Sequence, residues 1–365
     1  MEEKMMGGVY HAIKNVTYDE VDKPVAGDND VLVKMIKAGI CGSDTGAFLH
    51  GGIRYGVWDE MVEGHEGVGR VCQVGANVEG VKVGDIVFVE PTKAHKAGKI
   101  EADVLGTFGE YIICQDAKLD YNIFVLDPNI DLDLAALVEP LSVGTQGALC
   151  TNPQPTDNVV VLGAGTIGLC AAAGLINHGI KNVVVVDRNE WKLALARKIG
   201  AKTVNSREEN VGEKLCEYFG EYVNNSTKMQ FANKAIFKQL SSMPGLADRV
   251  AGKKPNVQLY VDCAGAKDLL MLSLSLAAEK TKYVVVSVYN DELPINGGIF
   301  MSEAKIIGSA GYTTETIKEV IDHLENKRTA IGEIITAKFA ASEIETAMVQ
   351  ASDKQYKNIK VLLEF

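Results

Sequence analysis

Cys41 lies in Gly39-Ile40-Cys41-Gly42-Ser43-Asp44, His65 in Glu63-Gly64-His65-Glu66-Gly67, and Glu139 in Val138-Glu139-Pro140. A thiolate, an imidazole and a carboxylate are the ligand set of a catalytic zinc that keeps one coordination position open. Each residue alone has an ordinary structural explanation. A lone cysteine among apolar neighbours is usually a small buried hydrophobe, His65 reads as a structural histidine, and Glu139 before a proline reads as a helix or loop terminus. Three ligand types, each beside Gly or Pro and followed in the same chain by a nucleotide-binding signature, point instead to a zinc-assisted hydride transfer. Ser43 and Glu66 add a further polar group to two of the motifs.

The nucleotide signature is Val159-Val160-Val161-Leu162-Gly163-Ala164-Gly165-Thr166-Ile167-Gly168. The G-x-G-x-x-G pattern is weak by itself, but here it follows a strand and opens a helix, which is its required context. Gly163 permits the tight turn, Gly165 lets the backbone approach a pyrophosphate, and Gly168 lets helix and strand pack closely. The helix start at Thr166 and Ile167 then faces the phosphates. Asp187 ends the next strand, 19 residues after Gly168. A carboxylate there binds both hydroxyls of an adenosine ribose and repels a 2′-phosphate, which favours NAD over NADP. The adjacent Arg188 offers a guanidinium that either tolerates such a phosphate or lies along the adenine.

These residues need two kinds of scaffold. Up to about residue 150 the chain reads as short strands, such as Val31–Ile36, Val68–Val74 and Asp85–Val89, punctuated by Gly80, Gly84 and Pro91. That pattern suggests a barrel-like all-β unit. The texture changes at Asn152-Pro153-Gln154-Pro155-Thr156-Asp157. Beyond it strands (159–162, 182–186, 259–262, 283–286) alternate with helices (167–178, 190–199), the pattern of a parallel sheet covered on both faces. The stretch 205–256 is polar, with candidate helices at Glu213–Tyr222 and Phe231–Leu240. A helix at Thr313–Asn326 and a strand at Ile359–Leu363 close the chain.

The bulk properties agree. A length of 365 residues suits two domains with sizeable cores. A net charge of −11 argues against phosphate-backbone partners, so no nucleic-acid binding is expected. Seven scattered cysteines without a CxxC do not form a secreted disulfide framework. The N-terminus shows no signal-peptide pattern, so the cytoplasm is the expected location. Residues 158–180 carry no formal charge, but five glycines interrupt the run. A buried strand, turn and helix explain it better than a membrane span.

The pieces Ala38-Gly39-Ile40-Cys41-Gly42-Ser43-Asp44, Gly64-His65-Glu66, Val83-Gly84-Asp85, Val138-Glu139-Pro140-Leu141-Ser142-Val143 and the glycine turn occur in order along nearly the whole chain. With them the sequence resembles the zinc-dependent medium-chain dehydrogenase/reductase superfamily, on the branch of sorbitol (polyol), threonine and butanediol dehydrogenases. The resemblance implies an α/β plus β architecture. A GroES-like β-barrel catalytic domain would take residues 1–155 and 295–365, and a doubly wound Rossmann-type cofactor domain residues 156–294. It implies one catalytic zinc per chain at Cys41, His65 and Glu139, with Glu66 an exchanging or outer ligand, and NAD as cofactor. It further implies that Ser43 carries the alcohol proton away, that the substrate is a small-molecule alcohol or ketone, and that the chain forms a homodimer or homotetramer.

Three departures qualify the resemblance. Residues 90–109, where many relatives hold a structural zinc on four cysteines, contain Lys93, His95, Lys96 and Lys99 but no cysteine. One histidine cannot close a four-ligand site, so no structural zinc is expected. Gly46 stands where many relatives carry a histidine that ends the proton relay, leaving His50, otherwise an exposed loop residue, or water. The arginine of polyol-specific relatives is missing from Gly308–Tyr312, which resembles the butanediol type. Phe48, Tyr55 and Trp58 either wall the substrate side or pack the core. The competing readings are a metal-free quinone or enone reductase of the same fold, and a non-catalytic NAD-binding protein.

Overall fold

The computed structural model describes residues 3–94, 105–222, 254–289, 292 and 302–365. The chain divides into two compact units. One holds the residues up to Pro140 with Ile317–Lys327 and Ile334–Phe365, and the other holds Leu141–Thr316 with Arg328–Glu333.

The first unit is β-rich. Seven strands form one sheet in the order Ile335–Ala340, Lys360–Glu364, Val31–Ile40, Glu66–Val74, Ile86–Val89, Ile123–Val125, with Tyr111–Cys114 also paired to Val31–Ile40. Lys4–Ala12, Asn15–Asp22 and Met61–Val62 form a second sheet. The strand that ends in the Cys41 motif is central: Gly39 pairs with Glu66 on one side and Leu362 on the other. The last strand, Lys360–Glu364, thus reaches the same neighbourhood from the far end of the chain. Tyr10, Ile40, Phe48, Phe108, Met348 and Leu363 belong to the core beneath it, and burying such side chains contributes about 1.5–3 kcal/mol each.

The second unit carries six strands in the order Lys202–Asn205, Asn182–Asp187, Asn158–Leu162, Leu259–Asp262, Lys282–Val285, Lys305–Gly308. Every pairing is parallel. Numbered along this sheet the order is 3-2-1-4-5-6, the doubly wound arrangement whose switch point binds dinucleotides. The Asn158–Leu162 strand is buried throughout, because parallel strands covered on both faces are apolar without alternation. The unit extends past residue 294 because Lys305–Gly308 pairs with Lys282–Val285 at the sheet edge.

The helix expected at 167–178 runs Thr166–Asn177, and that expected at 313–326 runs Thr314–Glu325. In the polar 205–256 stretch a helix spans Val211–Phe219, capped by Asn210, whose side chain accepts from Glu213 N. The candidate helix 231–240 lies outside the described residues. Among the described residues no helix is long and apolar enough to cross a membrane.

Candidate metal centre

Cys41 ends the central strand and sits at the N-cap of the Gly42–His50 helix with extended backbone. Asp44 completes this cap: its Oδ2 accepts from Cys41 N at 2.7 Å. The 61–66 segment delivers the imidazole. Gly64 has φ +95°, and a Cβ there would sit 2.5 Å from Phe108 Cδ1 and Thr107 Oγ1, so only glycine allows this turn. The turn sends Glu63 inward and places His65 and Glu66 beside Cys41.

One ligand atom each from Cys41, His65 and Glu66 lies within 4.8 Å of the others. Nitrogen, sulfur and oxygen donors converging in this way fit a zinc ion with an open position. The expected Glu139 is not part of that trio. It lies in the first turn of the Val138–Leu149 helix, 8% exposed, where its charge still reaches His65. Among the described residues, then, the carboxylate grouped with the thiolate and imidazole is that of Glu66.

The electrostatics favour a cation. Burial alone would lower the His65 pKa. Asp44, Cys41 and Glu139 overcome that and hold it well above its ordinary value. The ring lies with Nδ1 3.6 Å from Asp44 Oδ1 and also hydrogen-bonds Cys41. A field that stabilises an imidazolium equally favours a divalent ion in the proton's place. Asp44 thus lies within ion-pair distance behind the imidazole, where a carboxylate stands behind a ligating histidine.

Glu66 is 0% exposed and faces Gly39, where any Cβ would collide with its Oε2. Lys360 Nζ, itself buried, donates to both Glu66 oxygens and to Ile40 O. Glu63 is the opposite case: it is 0% exposed and neither carboxylate oxygen has a hydrogen-bond partner. Burial, then the neighbouring Asp44 charge, pushes its pKa up to about 9, so it is carried as the neutral acid at pH 7.

Of the remaining sequence candidates in this unit, Ser43 lies in the first turn of the Gly42–His50 helix and is partly exposed. His50 lies in the last turn and is exposed. They are seven positions apart, about 10 Å along the axis. Phe48 is core, Trp58 is 52% exposed, and Tyr55 lies against Gly46. His95, Lys96 and Lys99 fall outside the described residues.

The second unit carries the nucleotide residues. Gly163 has φ +97° and packs on Ala264, and a Cβ at Gly168 would collide with the Gly163 carbonyl. A Cβ at Gly165 would meet nothing within 4 Å, so the N-terminus of the Thr166–Asn177 helix is open to a phosphate group. Asp187 reaches over this turn: Oδ2 accepts from Ala164 N at 2.8 Å and Oδ1 from Asn189 N at 2.8 Å. Arg188 is exposed beside it. Asp262, also at a strand's carboxyl end, accepts from Ser287 Oγ and Tyr289 Oη at 2.8 and 2.5 Å and braces that loop.

Known proteins share this arrangement. The zinc-binding dehydrogenase family matches residues 166–326, and the alcohol dehydrogenase GroES-like domain matches residues 27–120. A D-xylulose reductase of Scheffersomyces stipitis is 30% identical over 341 residues, 86% of this chain and 84% of that protein. The chain belongs to the zinc-dependent medium-chain dehydrogenase/reductase superfamily. A sorbitol dehydrogenase of Bacillus subtilis is 31% identical over 231 residues, a match spanning 64% of that protein. The structure of 2R,3R-butanediol dehydrogenase from Bacillus subtilis superposes with a TM-score of 0.76 over 99% of both chains, at 20% identity, which speaks for the fold alone. As a member of this superfamily the chain is a zinc-dependent dehydrogenase built on a GroES-like domain and a Rossmann-type domain, using a nicotinamide cofactor. That assignment sets aside the metal-free reductase and the non-catalytic readings.

Sequence reasoning missed Lys360 and underused Asp44 and Glu63. A lysine opening the otherwise apolar run Val361-Leu362-Leu363 was the available signal for Lys360. The aspartate of the Cys41 motif was in plain view, but its partner His65 lies 21 residues on.

Proposed function

We propose that this chain oxidises a secondary alcohol of a small polyol or diol with NAD as hydride acceptor, and reduces the matching ketone in reverse. Cys41 and His65 would hold the metal, with Glu66 or Glu139 as the carboxylate ligand. The observation that carries this reading is the convergence of Cys41, His65 and Glu66 ligand atoms within 4.8 Å.

Zinc bound there supplies Lewis acidity that lowers the pKa of an alcohol oxygen. Asp44 keeps the His65 ring oriented through Nδ1, leaving the other nitrogen for the ion. Lys360 holds Glu66 within the sheet and so sets how readily that carboxylate turns to the metal. Ser43, in the first turn of the Gly42–His50 helix, takes the alcohol proton on Oγ and passes its own onward. The open helix start at Gly165 and the fixed Asp187 carboxylate support NAD: both ribose hydroxyls find an acceptor, and a 2′-phosphate meets a negative charge. The D-xylulose and sorbitol substrates named for the relatives support the polyol or diol class, and an oligomer is part of the same proposal.

The test is a panel of polyols, vicinal diols, threonine and simple secondary alcohols, each offered with NAD and with NADP while reduced nicotinamide is followed by absorbance. The proposal expects a secondary diol or polyol with NAD to give the highest kcat/KM. Preference for primary alcohols, or for NADP with every alcohol, would overturn it.

A further inference from the structure

Gly46 is buried in the middle of the Gly42–His50 helix. A Cβ built on it would sit 2.5 Å from Tyr55 Cζ, 2.7 Å from Cε1 and 2.9 Å from the Tyr55 hydroxyl oxygen. The phenol of Tyr55 therefore fills the space a side chain at position 46 would take, with its hydroxyl end against the helix. Tyr55 arrives from the neighbouring Ile53–Tyr55 turn, which Gly56 closes in the left-handed region at φ 73°.

Position 46 is one helical turn from Ser43, and residues three apart on a helix are surface neighbours at about 5–6 Å between Cβ atoms. A side chain at 46 leans toward the helix N-terminus, so the Tyr55 hydroxyl that takes its place lies on the face of the helix that carries Ser43, about one turn away. The other hydroxyls nearby are engaged. Thr45 donates to Gly42 O at 3.1 Å, and Tyr10 accepts from Gly52 N at 3.0 Å. No hydrogen bond among the described residues engages Ser43 Oγ or Tyr55 Oη, although both residues are partly exposed.

We propose that Tyr55 is the residue to which Ser43 hands its proton, so that the relay left without an imidazole at position 46 ends on a phenol lent by the next turn. This rests on the alcohol-oxidising reading above. In the oxidation direction the alcohol proton moves to Ser43 Oγ while the Ser43 proton moves to Tyr55 Oη. The Tyr55 proton leaves to bulk water, so each hydroxyl ends as it began and one proton is released per turnover. Reduction runs the same chain backwards. Tyr55 acts through Ser43 and does not itself touch the reacting atoms.

Two measurements test this. The first reads the packing without turnover: a double-mutant cycle of Gly46→Ala and Tyr55→Ala by thermal unfolding of the metal-depleted protein. Gly46→Ala is expected to lower the midpoint in the wild-type background and to have no such effect once the ring is gone. Equal effects in both backgrounds would overturn the geometry.

The second uses Tyr55→Phe in the zinc-loaded enzyme, which keeps the ring and removes only the hydroxyl. A relay hydroxyl predicts that kcat for alcohol oxidation falls by roughly 10²-fold, the low end for a lost proton-transfer group, and that a solvent deuterium isotope effect on kcat grows. An unchanged kcat, or a fall with no change in the isotope effect, would assign Tyr55 a packing role and overturn the proposal. Wild-type protein that oxidises no alcohol would overturn the functional reading together with this one, whereas active wild type with an equally active Tyr55→Phe overturns this one alone.

Discussion

Lys360 Nζ lies 2.8 and 2.6 Å from the two oxygens of Glu66, and both residues are buried to within 1%. An ion pair this deep is costly to desolvate, and its energetic value shows when one partner is removed. Lys360→Met leaves the Glu66 carboxylate beside Gly39 with no counter-charge, and should destabilise the metal-free protein by ~3–5 kcal/mol. Pairing it with Glu66→Gln should restore most of that loss. Urea denaturation of the two variants and the wild type checks both expectations, and a loss below ~1 kcal/mol for Lys360→Met would mean the pair is not formed.

The separation of 294 positions from Glu66 to Lys360 also explains what the sequence shows and what it hides. Val159–Leu162 with the glycines at 163, 165 and 168 is legible because strand, turn and helix start are contiguous and each glycine has one steric task. Cys41 and His65 stand out for the same reason, since each sits in a short turn of its own. Lys360, Glu63 and the Tyr55–Gly46 contact are different. Their meaning comes from a neighbour that only the folded sheet or helix brings near. The strands Lys4–Ala12 and Asn15–Asp22 also escape a sequence reading, because Met and Gly in the first and acidic residues in the second blur the alternation that marks a strand.

The proposed preference for NAD rests on Asp187. Its carboxylate accepts from Ala164 N and Asn189 N and remains placed for ribose hydroxyls. Asp187→Ala should raise KM for NAD by roughly 10–100-fold, the loss expected for a charge-assisted hydrogen bond, while the penalty against NADP shrinks. Steady-state kinetics with both cofactors decides this. An unchanged NAD to NADP ratio would remove Asp187 from the discrimination.

Glu63 sets a pH dependence of stability. Its pKa is pushed up from 4.5 to about 9 in the folded state, by burial first and Asp44 second. The folded chain therefore binds more protons than the unfolded chain between those values, and stability falls as pH rises. The contribution of the neutral acid is full below pH 4.5 and is gone above the folded value of about 9. In metal-depleted protein Glu63→Gln should flatten the decline in unfolding free energy across that window. Parallel pH profiles for variant and wild type would contradict the assignment.

The central claim is that Cys41, His65 and Glu66 gather one divalent ion on which alcohol oxidation depends. Titrating zinc into metal-depleted protein, while following reduced nicotinamide formed from a substrate alcohol, tests it most directly. The account predicts negligible activity at the start, a plateau near about one zinc per chain, and no recovery in Cys41→Ala. Full activity in the metal-depleted wild type, or equal recovery in Cys41→Ala, would contradict it.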